Sequence, residues 1–415
     1  MRRSHISVHR AMLTLSLIAA VIAATNTLSA NAQIVVAHFM AQNAFSYSQQ
    51  DWTNDINTAK ATGIDGFALN IALPDYEVDR VATAFVAAEN TNFKLFFSFD
   101  MSRSWQQSDI VSLVATHASS PAMLTYNGGV LVSTFEGEGN GNDFWAAIKT
   151  SLANEGIKIT FAPAFISFRD PSQTGTLLSS FPSIDGFFNW WSWPNDVDTT
   201  LTTDTDIAYR DAAHSRGGPY IMSVSPWQFK DIDQNNAWVE LGDTLWKYRW
   251  EQAIQDVKPD IIEIITWNDY AESHYIGDIN PNVDLGTAAP NYVNGFPHAA
   301  WRIIAQYYIS WYKTGNAPTV TNDVVVFCFP ADAVFAMSLL SSPATISLDI
   351  GSTHAQFDAG VGAAIGSVNF PVEDSQIPFI QIIRNGQTVK SMHGSVFVTN
   401  SCSWYNFNPF VGVVQ

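Results

Sequence analysis

From Gln33 onward, short runs of apolar, β-branched and aromatic residues alternate with stretches in which apolar positions recur every three or four residues. These are the two periods that mark buried strands and amphipathic helices. The strands expected are Ile34 to Phe39, Gly66 to Ile71, Lys94 to Phe99, Gly129 to Ser133, Lys158 to Pro163, Gly186 to Asn189, Tyr220 to Val224 and Ile261 to Thr266. Helices are expected between them, over 51–62, 76–91, 108–118, 143–155, 204–215, 243–255 and 297–312, with Ser108 and Asp143 as capping residues. The strand starts lie 28 to 41 residues apart, the length that a right-handed crossover between parallel strands needs. Eight such units predict an α/β fold, a (β/α)8 TIM-type barrel over residues 33–316. A doubly wound sheet is the rival, but it needs a switch point and often a phosphate loop. The nearest glycine-rich stretch, Gly137-Glu138-Gly139-Asn140-Gly141, has no lysine and carries an acid where a phosphate would sit.

After Gly315-Asn316-Ala317-Pro318 the pattern changes to short strands separated by turn residues. Val324 to Phe329, Thr345 to Ile350, Ala363 to Val368, Phe379 to Arg384 and Ser395 to Val398 are expected strands, and Asn385-Gly386 is a hairpin signal. A C-terminal all-β, sandwich-like domain over 317–415 follows, with stability its first expected role and sugar binding its second.

At the other end, Arg2, Arg3 and Arg10 precede an apolar run from Ala11 to Ala24, and Ala30-Asn31-Ala32 has the small-x-small form of a cleavage site. Residues 1–32 read as a signal peptide of a secreted protein. Removing them takes away three arginines and no acid, leaving 17 basic against 38 acidic residues, about −21. That argues against a polyanion partner, whose binding relies on Lys and Arg, and fits a neutral substrate, though acidity that only keeps a secreted protein soluble accounts for it equally. Neither a nucleic-acid nor a membrane partner is expected, and the mature chain is expected to be a monomer. Only Cys328 and Cys402 occur, too few for a disulfide scaffold or a thiolate metal site, though the two could pair in an oxidising compartment.

Aromatic residues are 13% of the chain, with 14 tryptophans, enough to ask whether some serve as stacking platforms. The stretch Pro259 to Gly277 is the most informative. A strand of four isoleucines ends abruptly in Thr266, Trp267, Asn268, Asp269, Tyr270, Ala271, Glu272, Ser273 and His274, so two carboxylates three residues apart leave a core strand beside aromatic rings. In a parallel α/β fold the carboxyl ends of strands carry the chemistry. The residues expected there include His38, Asn70, Asp100, Glu136, Asn189, Trp190, Trp191, Trp193 and Trp227, with Trp105 close behind. Hydrolysis of a glycosidic bond needs one protonated and one ionised carboxyl group, while rings and amides bind sugar faces and hydroxyls. Asp269, Glu272 and Asp100 are therefore the catalytic candidates. His38, Asn70, Trp105, Asn189, Trp190, Trp191, Trp227, Trp267, Asn268, Tyr270 and His274 are the candidates for substrate binding. Each has a plainer alternative. Asn268, Asp269 and Glu272 suit a helix start, Asp100 can cap the following turn, Glu136 can be a loop acid, and His38 can be a satisfied core histidine. No Gly-x-Ser-x-Gly elbow or His-Glu-x-x-His motif is present, and no metal or other cofactor is required.

The runs VVAHFM at Val35 to Met40, AKATGIDGFALNI at Ala59 to Ile71, LFFSFDMS at Leu95 to Ser102 and TWNDYAESHYIG at Thr266 to Gly277 resemble the fungal α-1,3-glucanases, or mutanases, of glycoside hydrolase family 71. The resemblance covers the expected barrel and extends more loosely beyond it, with CFPADAV at Cys328 to Val334 a departure. It implies an extracellular endo-acting enzyme that cleaves α-1,3-glucosidic bonds with inversion, and a polysaccharide as partner. Asp269 and Glu272 would be its catalytic pair and Asp100 a further essential acid. Likeness to a related barrel family, whose last strand also carries two acids three apart, implies Glu272 as general acid and Asp269 as base. A retaining endo-α-mannanase-like enzyme and a non-catalytic glucan-binding protein are the alternatives.

Overall fold

The computed structural model describes residues 33–72, 75–194, 199–231, 237–240, 242–401 and 404–415. The expected signal peptide and Cys402, and with it the expected cysteine pairing, lie outside the described residues. Eight parallel strands are present: β1 (Ile34–Met40), β2 (Gly66–Ile71), β3 (Lys94–Asp100), β4 (Gly129–Phe135), β5 (Ile159–Phe161), β6 (Phe187–Asn189), β7 (Tyr220–Val224) and β8 (Ile261–Ile264). They form one curled sheet in the order β5-β4-β3-β2-β1-β8-β7-β6, with helices between strands and a short antiparallel piece, Thr125–Tyr126, beside β4. The fold is thus mixed α/β. Its terminal strands β5 and β6 share no ladder, yet Gly186 N–H donates to Phe161 O and Phe188 N–H to Pro163 O. Pro163 has no N–H to return, which is one reason the pairing stops there.

The strands are buried along nearly their whole length, which is why they read as continuous apolar runs. Helix starts were less legible. The helices expected at Ser108 and Asp143 begin earlier, at Gln107 and Gly141, and neither has a side-chain cap. The first helix, Gln49–Thr62, does have one, a reciprocal capping box between Ser48 and Asp51.

One local motif recurs at the amino ends of the strands. Asp65, Asp185 and Asp260 each lie just before a strand, and each carboxylate accepts a backbone N–H from a neighbouring one: Val35 at 2.9 Å, Phe161 at 2.8 Å and Tyr220 at 2.9 Å. Each is also paired with a base, Lys313, Lys149 and His214 respectively, at 2.6 to 2.8 Å. Glycine follows the first two for a steric reason. A Cβ on Gly66 would lie 2.4 Å from Lys94 O and one on Gly186 2.2 Å from Pro219 O.

The carboxyl-terminal region holds two four-stranded antiparallel sheets. Val324–Phe329 and Phe379–Arg384 fall where expected, and Asn385-Gly386 makes the turn into Gln387–His393 with both residues at positive φ. Ser395 to Val398 is not a strand, since only an isolated bridge joins Val398 to Gln376. Ala333–Leu340, Thr353–Ala359, Gln387–His393 and Phe410–Val414 are strands that the pattern did not predict. Ala333–Leu340 is buried at every position, so it lacks the alternation that identifies a strand with one wet face. Val324–Phe329 is covered on both sides for the same reason: Val325 and Phe327 face the second sheet, while Val326 joins the core under the helix Trp301–Thr314.

Candidate active site

The segment after β8 folds back on its own strand. Thr266 N–H donates to His274 O, Ile276 N–H to Thr266 O and Gly277 N–H to Trp267 O, while Trp267 N–H reaches across to His38 O at the end of β1. A Cβ on Gly277 would sit 2.6 Å from Trp267 O, so only glycine permits this closure. No helix starts here. Asn268 does not cap one, because its side chain is spent on β1, accepting from Met40 N–H at 2.7 Å and donating to Met40 O at 3.2 Å. Instead Asp269 caps a turn, accepting Glu272 N–H at 3.2 Å, with its own N–H given to Thr266 Oγ1. Ser273 takes φ +62, a region uncommon for a residue with a side chain, and strained backbone of this kind clusters at functional sites.

The two acids differ in environment. Glu272 accepts from Lys230 Nζ at 2.9 Å and Gln228 Nε2 at 2.8 Å, and lies 3.2 Å from His274 Nε2. Burial alone would raise its carboxyl, but the hydrogen bond and charge of His274 and the Lys230 ammonium outweigh it and hold the group at about 2. Asp269 moves the opposite way. Burial first, and the neighbouring Glu272 charge second, push its carboxyl above the usual range. Two carboxyl groups driven apart in this way are what acid/base catalysis uses. One oxygen of each, together with a ring nitrogen of His274, lies within a 4.8 Å span. Three such donors could hold a divalent ion, yet Lys230 already supplies the positive charge that an ion would bring.

Lys230 and Gln228 come from a feature that sequence reasoning missed, an antiparallel hairpin of Gln228–Asp231 with Ala237–Glu240. The Lys230 ammonium also lies over the Trp238 ring, 5.0 Å from its centre. The signal in the sequence is the alternation Gln228, Phe229, Lys230 directly after Trp227. Beside the acids is a cleft of about 200 Å3 walled by Trp190, Trp191, Trp193 and Trp238, with Phe135, Ile166, Gln228 and the acid Glu240 completing it. Trp193 is 5.3 Å from the His274 ring. Trp190 meets His38, Phe135 and Phe188 edge-on, and Trp191 carries the Arg169 guanidinium on its face at 4.0 Å.

Several of the expected substrate contacts are buried, with their polar atoms directed to partners within the fold. Trp227 is buried and its Nε1 donates to Phe407 O, away from the cleft. Trp267 and Tyr270 are buried, the first against Phe67 and the second donating to Asp278 O. Trp105 packs on Phe99 and donates to Asp100 O. Asn189 gives its amide to Asp206 within a buried network containing Arg249 and Tyr220, and accepts Trp191 N–H. Asn70 is buried at the end of β2. His38 is fully buried, its Nδ1 2.6 Å from Glu263, while burial raises the Glu263 carboxyl. His274 is buried too and touches Glu272.

At the ends of β3 and β4 are two further acids. Asp100 Oδ1 accepts from Ser102 N–H and Oγ, so it caps the turn it begins. Glu136 stands at φ +59, its carboxyl raised by burial, then by Glu138 and Asp100.

Opposed carboxyl groups on the carboxyl ends of a curled parallel sheet, beside a tryptophan-walled cleft, define a site of the glycosidase class. The chain belongs to glycosyl hydrolase family 71, whose profile matches residues 31–332 and 329–415, the second stretch running through the region around Val334 that had looked divergent. It is 35% identical to a glucan endo-1,3-alpha-glucosidase of Schizosaccharomyces pombe, over 92% of this chain and 95% of that one. It is 34% identical to a mutanase of Penicillium rubens, over 91% and 88%. Among solved structures, a GH99 endo-alpha-mannosidase of Bacteroides thetaiotaomicron superposes with a TM-score of 0.51 at 12% identity, covering 67% of this chain and 97% of that chain. At that identity the likeness speaks for the fold alone.

Proposed function

We propose that this protein is a secreted hydrolase of α-1,3-glucosidic bonds in glucan, with Asp269 and Glu272 as its acid/base pair. The observation that carries the choice of pair is one turn that brings an oxygen of each acid within 4.8 Å, Lys230 and Gln228 holding Glu272 alone, with the Asp269 carboxyl shifted upward and Glu272 down to about 2. It assigns the roles in reverse of the order implied by the related barrel family. Asp269 holds the proton that the leaving oxygen needs, and Glu272 is the ionised partner oriented by Lys230 and Gln228. Trp190, Trp191, Trp193 and Trp238 supply apolar faces for glucose rings. Residues 33–316 act as the catalytic unit on a closed (β/α)8 barrel, which the hydrogen bonds between β5 and β6 support, and 317–415 as an accessory unit. The apolar run Ala11 to Ala24 behind three arginines supports export. Among the described residues no helix is long and apolar enough to cross a membrane.

Inversion needs a water between acid and base, with carboxyl groups roughly 6.5–9.5 Å apart. As they stand, an oxygen of Asp269 and one of Glu272 are within 4.8 Å, so inversion requires the pair to part as the glucan enters, or Asp100 to serve as base. The test is reducing-sugar release from insoluble α-1,3-glucan, with starch, β-1,3-glucan and α-mannan as controls and the first-formed anomer read by NMR. Release from α-1,3-glucan alone, as the β anomer, is expected. Release from mannan instead, or none from a folded protein, would sink the substrate assignment. A substrate with a fluoride leaving group separates the roles, since it needs no acid. Asp269→Asn should still turn it over and Glu272→Gln should not.

A further inference from the structure

A second groove, of about 370 Å3, opens where the loop after β8 meets the carboxyl-terminal segment. Its volume falls within the range of about 300–1,000 Å3 usual for ligand sites. No residue lining it carries a charge. Two of its rings stand in water, Tyr405 at 66% exposure and Phe397 at 56%, and large apolar side chains grouped in this way mark contact surfaces. Between the rings are the amides of Asn400, Asn406 and Asn408 and the hydroxyl of Thr399. Two buried polar atoms of lining residues, Trp404 Nε1 and Asn408 Oδ1, have no hydrogen-bond partner among the described residues. Asn408 is only 2% exposed, its Nδ2 already tied to Tyr292 O at 2.8 Å and Tyr275 Oη at 3.2 Å. A donor and an acceptor left open in a buried wall cost free energy until a hydroxylated ligand or water meets them.

We propose that this groove is a second, non-catalytic binding site for the neutral glucan chain. This rests on the α-1,3-glucan assignment above and adds a place where the polymer is held. Uncharged rings beside amides suit a pyranose, whose C–H face packs on aromatics while its hydroxyls take the hydrogen bonds. Charged ligands find no counter-charge here. The groove also adjoins the catalytic hairpin. Phe407, another of its rings, meets Phe229 edge-on at 5.6 Å and accepts Trp227 Nε1 through its carbonyl, and Phe229 sits between the two residues that hold Glu272. A chain anchored in the groove is therefore kept beside the cleft, which raises its local concentration there.

The test uses the full-length protein and the double variant Phe397→Ala/Tyr405→Ala. Adsorption to insoluble α-1,3-glucan is measured with both in an Asp269→Asn background, so that the polymer is not consumed. Hydrolysis of insoluble glucan and of a short soluble α-1,3-oligosaccharide is measured without that background. Adsorption and insoluble-glucan turnover should fall about tenfold in the double variant, and turnover of the soluble oligosaccharide should stay within about twofold. The ring-preserving pair Phe397→Tyr/Tyr405→Phe should restore adsorption. If the double variant melts early, the single Tyr405→Ala decides. Adsorption equal to the parent's, with the wild type hydrolysing α-1,3-glucan, overturns the groove assignment alone, and so does adsorption of an apolar peptide in place of glucan. A folded wild type that hydrolyses no α-1,3-glucan overturns the substrate assignment instead.

Discussion

The two ends of the parallel sheet use the same residue type for opposite purposes. At the amino ends Asp65, Asp185 and Asp260 each meet one basic side chain and one backbone N–H, and each ties two neighbouring strands together. At the carboxyl ends the acids are crowded together. Asp269 and Glu272 share one turn, Glu136 feels the charge of Asp100, and Lys230 is held against Glu272. Crowded acids cannot all ionise at once, so one keeps its proton. Stability is served by pairing each charge, and chemistry by leaving one unpaired. The difference therefore predicts which substitutions remove activity and which remove stability.

The largest effect should come from the turn proposed to carry the acid/base pair. Asp269→Asn and Glu272→Gln are each expected to lower glucan hydrolysis by about 10³-fold, the upper part of what acid/base groups contribute. Asp269→Asn should leave thermal stability unchanged or raise it, since a buried carboxyl is replaced by a neutral amide. Scanning calorimetry beside the activity assay checks both, and a marked fall in melting temperature for Asp269→Asn would place that acid with the structural set. Next is Lys230→Met, expected to cost about 10–100-fold at neutral pH through lost orientation of Glu272. Its sharper signature is in the pH profile. Glu272 must be ionised, so wild-type activity is lost on the acid side as pH falls toward about 2. Without the ammonium its carboxyl rises and that limb moves to higher pH. Asp269 must be protonated, so activity falls as pH rises past its raised pKa, and because the Lys230 ammonium also pulls that carboxyl down, Lys230→Met should move the alkaline limb to higher pH as well. An acid limb that stays put in Lys230→Met would show that Glu272 is not the ionised group.

Smaller effects belong to the amino end. Asp185→Ala and Asp260→Ala each remove a charge-assisted hydrogen bond to a strand and should cost about 1.5–3 kcal/mol of stability, with turnover at low temperature intact. Chemical denaturation gives the first number, and an activity loss without destabilisation would break the division between the two ends. The smallest and most specific effect concerns Asp55, on the first helix. Burial raises its carboxyl to about 7, with Tyr47 Oη donating to it at 2.8 Å. A raised folded-state value means that the native protein holds this proton more tightly than the unfolded chain. The stabilisation is complete below about 4 and is lost as pH rises through about 7. Asp55→Asn should remove that decline, and parallel curves of melting temperature against pH for the two proteins would refute it.

Much of this was legible beforehand. All eight strands of the curled sheet were located within a few residues, because a strand covered on both faces is a run of apolar residues that no tertiary information is needed to see. The acids Asp269 and Glu272 stood out because polar residues follow such a run without transition. The tryptophans were a harder case. Trp190 and Trp191 reached the cleft wall, but Trp227 and Trp267 went into the core, since an indole is as good a packing group as a sugar platform. Lys230, Gln228 and Trp238 were passed over for a different reason. They lie on a short hairpin, partly exposed, and an alternating stretch after a strand reads as loop.

Where the strands of the curled sheet lie, to within a few residues, and which carboxyl groups emerge from the last of them depend on neighbours along the chain and were determined by sequence alone. Which of the two carboxyl groups holds a proton depends on Lys230, 42 residues away from Glu272, and on how far each group is withdrawn from water. Electrostatic energies follow distance and solvation in space, and only the tertiary structure sets those.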